Sequence, residues 1–241
     1  MERRELLAAG VSGLALLGAG AALGQEKEEP KESQAATGGP PLSADQAVLL
    51  LVDHQVGLFS LVQDYGPDEF KNNVLALAGC GKTFNLPTIL TTSAETGPNG
   101  VILPELKKMY PDAPFIPRPG QINAWDNEDF VAAVKRTGRK QLIMAGIVTD
   151  VCVVFPTLAA LKEGYQVFVV ADACGTFNKQ VADAALMRMA FAGAVITNWF
   201  AVACELQRDW RNKGEGLANL LANHLPAYNN LITTHNAKTK P

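Results

Sequence analysis

Histidine is scarce in this chain. Only His54, His224 and His235 occur in 241 residues, and none stands in an H-x-H or H-x-x-x-H pair. A dedicated first-row metal site needs such convergent imidazoles or thiolates, so neither a metal nor any other cofactor is expected. Cysteine is nearly as sparse. Cys80, Cys152, Cys174 and Cys204 share no C-x-x-C spacing, which removes zinc knuckles and thioredoxin-type dithiols. No cluster of Lys or Arg interrupts a formal net charge of −3, so a nucleic-acid groove would lack its electrostatic footprint. Internal repeats are absent and Pro and Gly are near ordinary use, which excludes solenoids, fibres and wholesale disorder. What remains is one globular domain of roughly 200 residues with appendages, large enough to fold without staples.

Charge is also missing from residues 6–23, a small-residue apolar run preceded by Arg3, Arg4 and Glu5. A basic start, an apolar middle and small residues near Ala22 and Gly24 form the pattern of an export signal over 1–24. The paired arginines resemble the twin-arginine type, which carries folded proteins to the periplasm or beyond. The alternatives are a retained membrane anchor, which the Gly/Ala-rich run fits less well, and a cytoplasmic protein. Membrane contact is expected only if the segment stays uncleaved. Residues 25–41 are charged, Gly/Pro-containing and aperiodic, the composition of a flexible linker. The folded domain is expected over 42–241.

Inside that domain, apolar runs alternate with helical spacing. Residues 47–53 form a continuous apolar run stopped by an acid, the signature of a strand buried on both faces. Further strands are expected at 87–92, 115–116 (interrupted by Pro117), 141–147, 166–171 and 194–197. Helices are expected at 68–84, 103–109, 128–137, 151–162 and 179–191, with two terminal ones near 202–211 and 216–224. Trp199, Trp210 and the terminal helices offer apolar surface that a partner can cover. This rhythm predicts a three-layer, doubly wound α/β fold: a six-stranded, mainly parallel sheet with helices on both faces and right-handed crossovers. Ligands of such sheets bind beyond the carboxyl ends of the strands, so polar residues there are the candidates.

Cys152 follows the fourth strand at the first turn of a helix, where the positive helix end is expected to lower its pKa toward a thiolate. A buried, inert cysteine is the ordinary alternative. Asp53 ends the first strand, placed to take a proton from a thiol and return it to a leaving group, or simply to cap the next segment. Asp172 has the same placement, and for it the cap is preferred. Arg118 lies between Pro117 and Pro119, which fix the backbone and let the guanidinium be aimed at little entropic cost. Asn123 and Trp125 can add an amide donor and an aromatic wall to a pocket, Trp125 reads equally as plain core or interface, and Gln55 stands beside Asp53. Cys80, Cys174 and Cys204 read as structural.

Taken together, these segments resemble the isochorismatase-like cysteine hydrolases: LLLVDHQ at 49–55, LPTILTTS at 86–93 and ETGPNG at 95–100. RPGQINAWDN at 118–127, GIVTDVC at 146–152 and CELQRDWR at 204–211 narrow the resemblance to the YcaC-like branch. It covers residues 42–240. The resemblance implies a six-stranded parallel sheet and a triad of Asp53, Arg118 and Cys152, with arginine where nicotinamidase-like relatives usually carry lysine. It implies a non-proline cis bond at Val148–Thr149, aiming the backbone N–H of Thr149 or Cys152 at a substrate oxygen. It also implies a homo-oligomer, octameric in the YcaC-like branch. The metal cluster of zinc-dependent nicotinamidases is missing, and authentic isochorismatases lack the cysteine, so this chain departs from both. The function expected is hydrolysis of a small amide-like substrate through a covalent thioester. The alternatives are an oligomeric scaffold with a redox-sensing Cys152 and a metal-free vinyl-ether hydrolase.

Overall fold

Each buried apolar run becomes a strand of one sheet. In a computed structural model that describes residues 41–212 and 215–239, the strands are β1 (Ala47–Val52), β2 (Thr88–Ser93), β3 (Phe115–Arg118), β4 (Gln141–Gly146), β5 (Gln166–Val170) and β6 (Val195–Thr197). The expected export signal and all of the expected linker but its last residue lie outside the described residues. The sheet order is β3-β2-β1-β4-β5-β6, and every pairing is parallel rather than mainly so. β1, β2 and β4 are buried along their whole length, which is why their sequences show no polar alternation.

The helices are α1 (Pro67–Thr83), α2 (Pro104–Met109), α3 (Glu128–Arg136), α4 (Val154–Lys162), α5 (Lys179–Phe191), α6 (Trp199–Gln207), α7 (Glu215–His224) and α8 (Pro226–Thr239). Local chemistry starts several of them. Asn127, Asn178 and Asn198 each accept a backbone N–H in the first turn of α3, α5 and α6. Pro67 and Pro104 occupy the opening positions of α1 and α2, where a missing N–H costs nothing.

Two expectations shift here. α6 starts at Trp199 rather than near 202, because Asn198 caps it and the Asp172 carboxylate accepts the Trp199 N–H at 3.0 Å. Asp172 therefore does not cap the segment that follows it, as was preferred, but serves the distant start of α6, and Trp199 is core rather than partner surface. Trp210 is exposed and stacks on Tyr228 of α8, a helix whose weak periodicity gave no signal in the sequence.

The sheet order positions the site. The chain begins in the middle at β1, moves outward to β3, then returns to lay β4 against β1. The direction of winding reverses between those two strands, and the crevice beyond their carboxyl ends is where doubly wound sheets place ligands. The seam is tight: Val52 lies in register with Gly146, and a Cβ on Gly146 would meet the Val52 carbonyl oxygen at 2.4 Å. Gly146→Ala is therefore expected to lower stability by about 1–3 kcal/mol, an overpacking cost, read from denaturant midpoints. An unchanged midpoint would show that the β1–β4 seam has slack.

Candidate active site

Asp53 is the first residue past β1. Its backbone φ of 56° is left-handed, a region that Asp and Asn enter more readily than other side-chain-bearing residues. Its N–H still donates to Thr91 O at 2.9 Å, so the residue is fixed to the sheet while the chain turns. Arg118 ends β3, two strands away, in register with Ser93 of β2. Neighbouring strands stand about 4.8 Å apart, so the guanidinium must reach over β2, a span that suits a long side chain.

It does so along a prepared track. Arg118 Nε donates to Thr91 Oγ1 at 3.0 Å, and that hydroxyl donates in turn to Ile116 O at 2.7 Å. One terminal nitrogen donates to the carbonyls of Gln121 and Ile122. The other donates to Asp53 Oδ1. Both side chains of this ion pair are completely buried. The two carbonyls come from the loop following Pro119, so the loop that folds back over Arg118 also holds it.

Cys152 reaches the same place from β4. Past Ile147 the chain leaves the sheet through a π-helical turn, Thr149–Val153, before α4 begins. The turn is anchored on both sides. Val148 O accepts the N–H groups of Val151 and Val153, each at 3.3 Å, and Thr149 N–H donates to Gly175 O at 3.1 Å. Cys152 is half-buried, with its thiol interacting with the Asp53 carboxylate and with the Val148 N–H. Asp53 Oδ2 is buried without a hydrogen-bond partner, and the Cys152 thiol is the proton-bearing group that interacts with this carboxylate. Asp53, Arg118 and Cys152, read from three distant stretches of sequence, meet at the β1–β4 crevice.

The electrostatics correct one expectation. The Cys152 thiol is pushed up to about 12, first by burial and then by the neighbouring Asp53 charge, with Val148 N–H and Arg118 only partly opposing. The expected lowering by a helix start fails because a buried anion-to-be beside an existing carboxylate costs more than a turn's N–H groups return. Burial likewise raises the Asp53 carboxyl, and Arg118 pulls it back. A raised carboxyl is a stronger base than an ordinary one, which suits it to a thiol that ionises late.

Several other expected site residues do different work. Gln55 is buried with its amide fully used: Nε2 donates to Ser93 O at 3.0 Å and Gly100 O at 2.5 Å, and Oε1 accepts Ser93 N–H at 2.8 Å. It clips the loop after β2 to β1 and has nothing left for a substrate. Asn123 caps a short turn through Trp125 N–H at 3.0 Å, and its own amide goes to Asp126 at 2.9 Å. Trp125 packs on Phe130 and Tyr165, and its Nε1–H donates to Glu163 Oε1 at 2.7 Å, at the end of α4 away from Cys152. The non-proline cis bond lies between Ile147 and Val148, one residue before the expected Val148–Thr149, because sheet pairing ends where Ile147 bridges Gly175. Thr149 N–H, one of the two amides expected to face the substrate, is spent on Gly175.

Sequence reading missed His54. It is wholly buried, with Nε2–H donating to Ala173 O at 3.0 Å, and burial pushes it down to about 4, so it stays neutral. It ties the Asp53 turn to the loop after β5, and its place beside Asp53 was the available signal. Thr91, which threads Arg118, carried none. Among the described residues no cluster of His, Cys, Asp and Glu can hold a metal ion, and all four cysteines are free.

Comparison with known proteins bears on this geometry. The family model described as the isochorismatase domain matches residues 47–200. The chain is 63% identical over 199 residues to the probable hydrolase YcaC of Escherichia coli, covering 83% of this chain and 96% of that one. The crystal structure of the Escherichia coli YcaC product, described as an octameric hydrolase of unknown specificity, superposes with a TM-score of 0.81 at 63% identity, covering 83% and 98% of the two chains. YcaC from Pseudomonas aeruginosa, solved with hexane-2,5-diol and covalent acrylamide, gives a TM-score of 0.81 at 65% identity, covering 82% and 98%.

Arg118→Met tests the ion pair. It strands the Asp53 carboxylate in a dry site and is expected to cost about 3–5 kcal/mol in denaturant unfolding. Adding Asp53→Asn should return part of that loss, since the two residues are coupled. A single-variant loss under about 1 kcal/mol would show that the pair is not buried as described.

Proposed function

The chain belongs to the isochorismatase family of hydrolases, and from that premise we propose that it cleaves a small non-peptide amide through a thioester on Cys152. One arrangement carries the reading: a single carboxylate, Asp53, held by Arg118 on one side and meeting the Cys152 thiol on the other. Because the thiol ionises late, attack and proton transfer are concerted. Sulfur bonds to the carbonyl carbon as its proton passes to Asp53. We assign the developing oxyanion to the Val148 N–H, which interacts with the sulfur in the resting site and turns to the substrate oxygen as the bond forms. One such donor is typically worth about 3 kcal/mol to the transition state.

Asp53 then protonates the leaving nitrogen as the C–N bond breaks, releasing ammonia or an amine. Water, deprotonated by Asp53, splits the thioester and regenerates the thiol. Arg118 moves no proton, since guanidinium stays charged. Its part is to keep Asp53 in place and to balance its charge. The covalent acrylamide in the Pseudomonas aeruginosa relative shows that that protein carries a group reactive toward a small electrophile, which supports a reactive nucleophile here. A peroxide-sensing scaffold is disfavoured, because redox-sensor thiols are acidic and exposed, unlike this one. By similarity to the octameric Escherichia coli relative we propose a homo-oligomer as well, which light scattering of the purified chain tests: a monomer would refute it.

Cys152→Ala should lose turnover on a panel of small amides by on the order of 10³-fold or more while keeping its unfolding midpoint. Retained turnover would eliminate covalent catalysis. The pH profile carries a sign. Asp53 must be ionised to act as base, so kcat/KM should fall as pH drops through a value above the ordinary carboxylate range. It should show no rise near about 8.5, where an unperturbed thiol would ionise.

A further inference from the structure

We propose that this site selects uncharged amides with short apolar acyl groups and turns away anionic substrates, an inference that rests on the hydrolase reading. The cation at the centre is already occupied. Arg118 uses Nε on Thr91, one terminal nitrogen on the carbonyls of Gln121 and Ile122, and the other on Asp53. Four of its five N–H groups are thereby committed, and the remaining one cannot make the paired contact by which arginine grips a carboxylate. The guanidinium of this site is structural to Asp53 and is not a substrate anchor.

The loops supply no replacement. Taken with strand-terminal Arg118, the loops leaving the carboxyl ends of the six strands hold one cation against six acids: Asp53, Asp64, Glu95, Asp126, Asp150 and Asp172. Two cations of α5 flank them from outside: Lys179, bound to Asp183 at 2.7 Å and felt by Asp64, and Arg188, which lies over Phe155 and lines a cavity with Asp150.

Two of the acids are fixed beside the nucleophile's turn. Asp150, two residues before Cys152, accepts the Thr176 hydroxyl at 2.6 Å, and Asp64 accepts the Thr176 N–H at 2.9 Å. Thr176 follows Gly175, whose carbonyl holds Thr149, so this carboxylate pair is tied directly to the catalytic turn. An edge of one sign raises the local concentration of ligands of opposite or no charge relative to those it repels. The same edge exposes Val56, Leu61, Ile122 and Phe177, on the loops after β1, β3 and β5. Apolar side chains on three separate loops of one rim favour an apolar group on the substrate over an ammonium.

The test uses the full chain and three amides of matched length: pentanamide, its analogue ending in a carboxylate (glutaramate) and its analogue ending in an ammonium (5-aminopentanamide). At about 20 mM salt, kcat/KM for pentanamide should exceed that for glutaramate by about tenfold or more, and should exceed that for the ammonium compound. The gap to glutaramate should narrow severalfold at about 500 mM salt and in the Asp64→Asn/Asp150→Asn variant, whose amide oxygens still accept from Thr176. Glutaramate turned over as well as pentanamide overturns the proposal, as does preference for the ammonium compound. If no amide is hydrolysed, the hydrolase reading fails separately, and selectivity is then read from protection of Cys152 against alkylation. Protection by pentanamide and none by glutaramate sustains the inference; equal protection overturns it.

Discussion

A carboxylate and a guanidinium, both cut off from water, are held together above the middle of the sheet, and the rest of the site follows from that pair. Removing two charges from solvent costs several kcal/mol each, so such a pair persists where most of its remaining hydrogen-bonding groups are met. Here Thr91 and the carbonyls of Gln121 and Ile122 take three further N–H groups of the arginine, while the second Asp53 oxygen is left without a hydrogen bond on the side where the Cys152 thiol interacts with the carboxylate. Cys152 thus stands where the pair's unmet capacity points.

The pair also sets the chemical character of the sulfur. Many cysteine nucleophiles are pre-ionised by a cation or a helix start. In this site the cation is already neutralised by Asp53, and the carboxylate faces the thiol, so the resting state is a protonated sulfur beside a strengthened base. On the proposed mechanism, sulfur attacks the carbonyl carbon as its proton leaves for Asp53. A thiol of this kind is quiet toward solvent oxidants, which suits an enzyme more than a sensor.

The sheet and two of the three central residues were legible because each obeys a simple local rule. Buried parallel strands such as β1 and β4 read as unbroken apolar runs, Asp53 ends one and Cys152 follows the other, while Arg118, on a short strand broken by Pro117, was joined to them by the family resemblance. For Gln55, Asn123 and Trp125 the residue type alone does not say whether polar atoms are already spent within the protein. Gln55 is saturated only once the loop at 94–100 has folded back on β1, a long-range event without a local signature. The thiol's ionisation misled for a similar reason: a strand-to-helix position implies free N–H groups, yet burial and the carboxylate arriving from β1 outweigh them. α8 was invisible since its apolar residues keep no helical stripe.

The most direct test is titration of the Cys152 thiolate, taken as the ultraviolet difference between the wild-type chain and Cys152→Ala, and repeated in an Asp53→Asn background. The account predicts ionisation well above the ordinary thiol value of about 8.5 in the wild type, and a downward move once the carboxylate charge is gone. A wild-type thiol already ionised at neutral pH, or one that ionises later when Asp53 is neutralised, would contradict it.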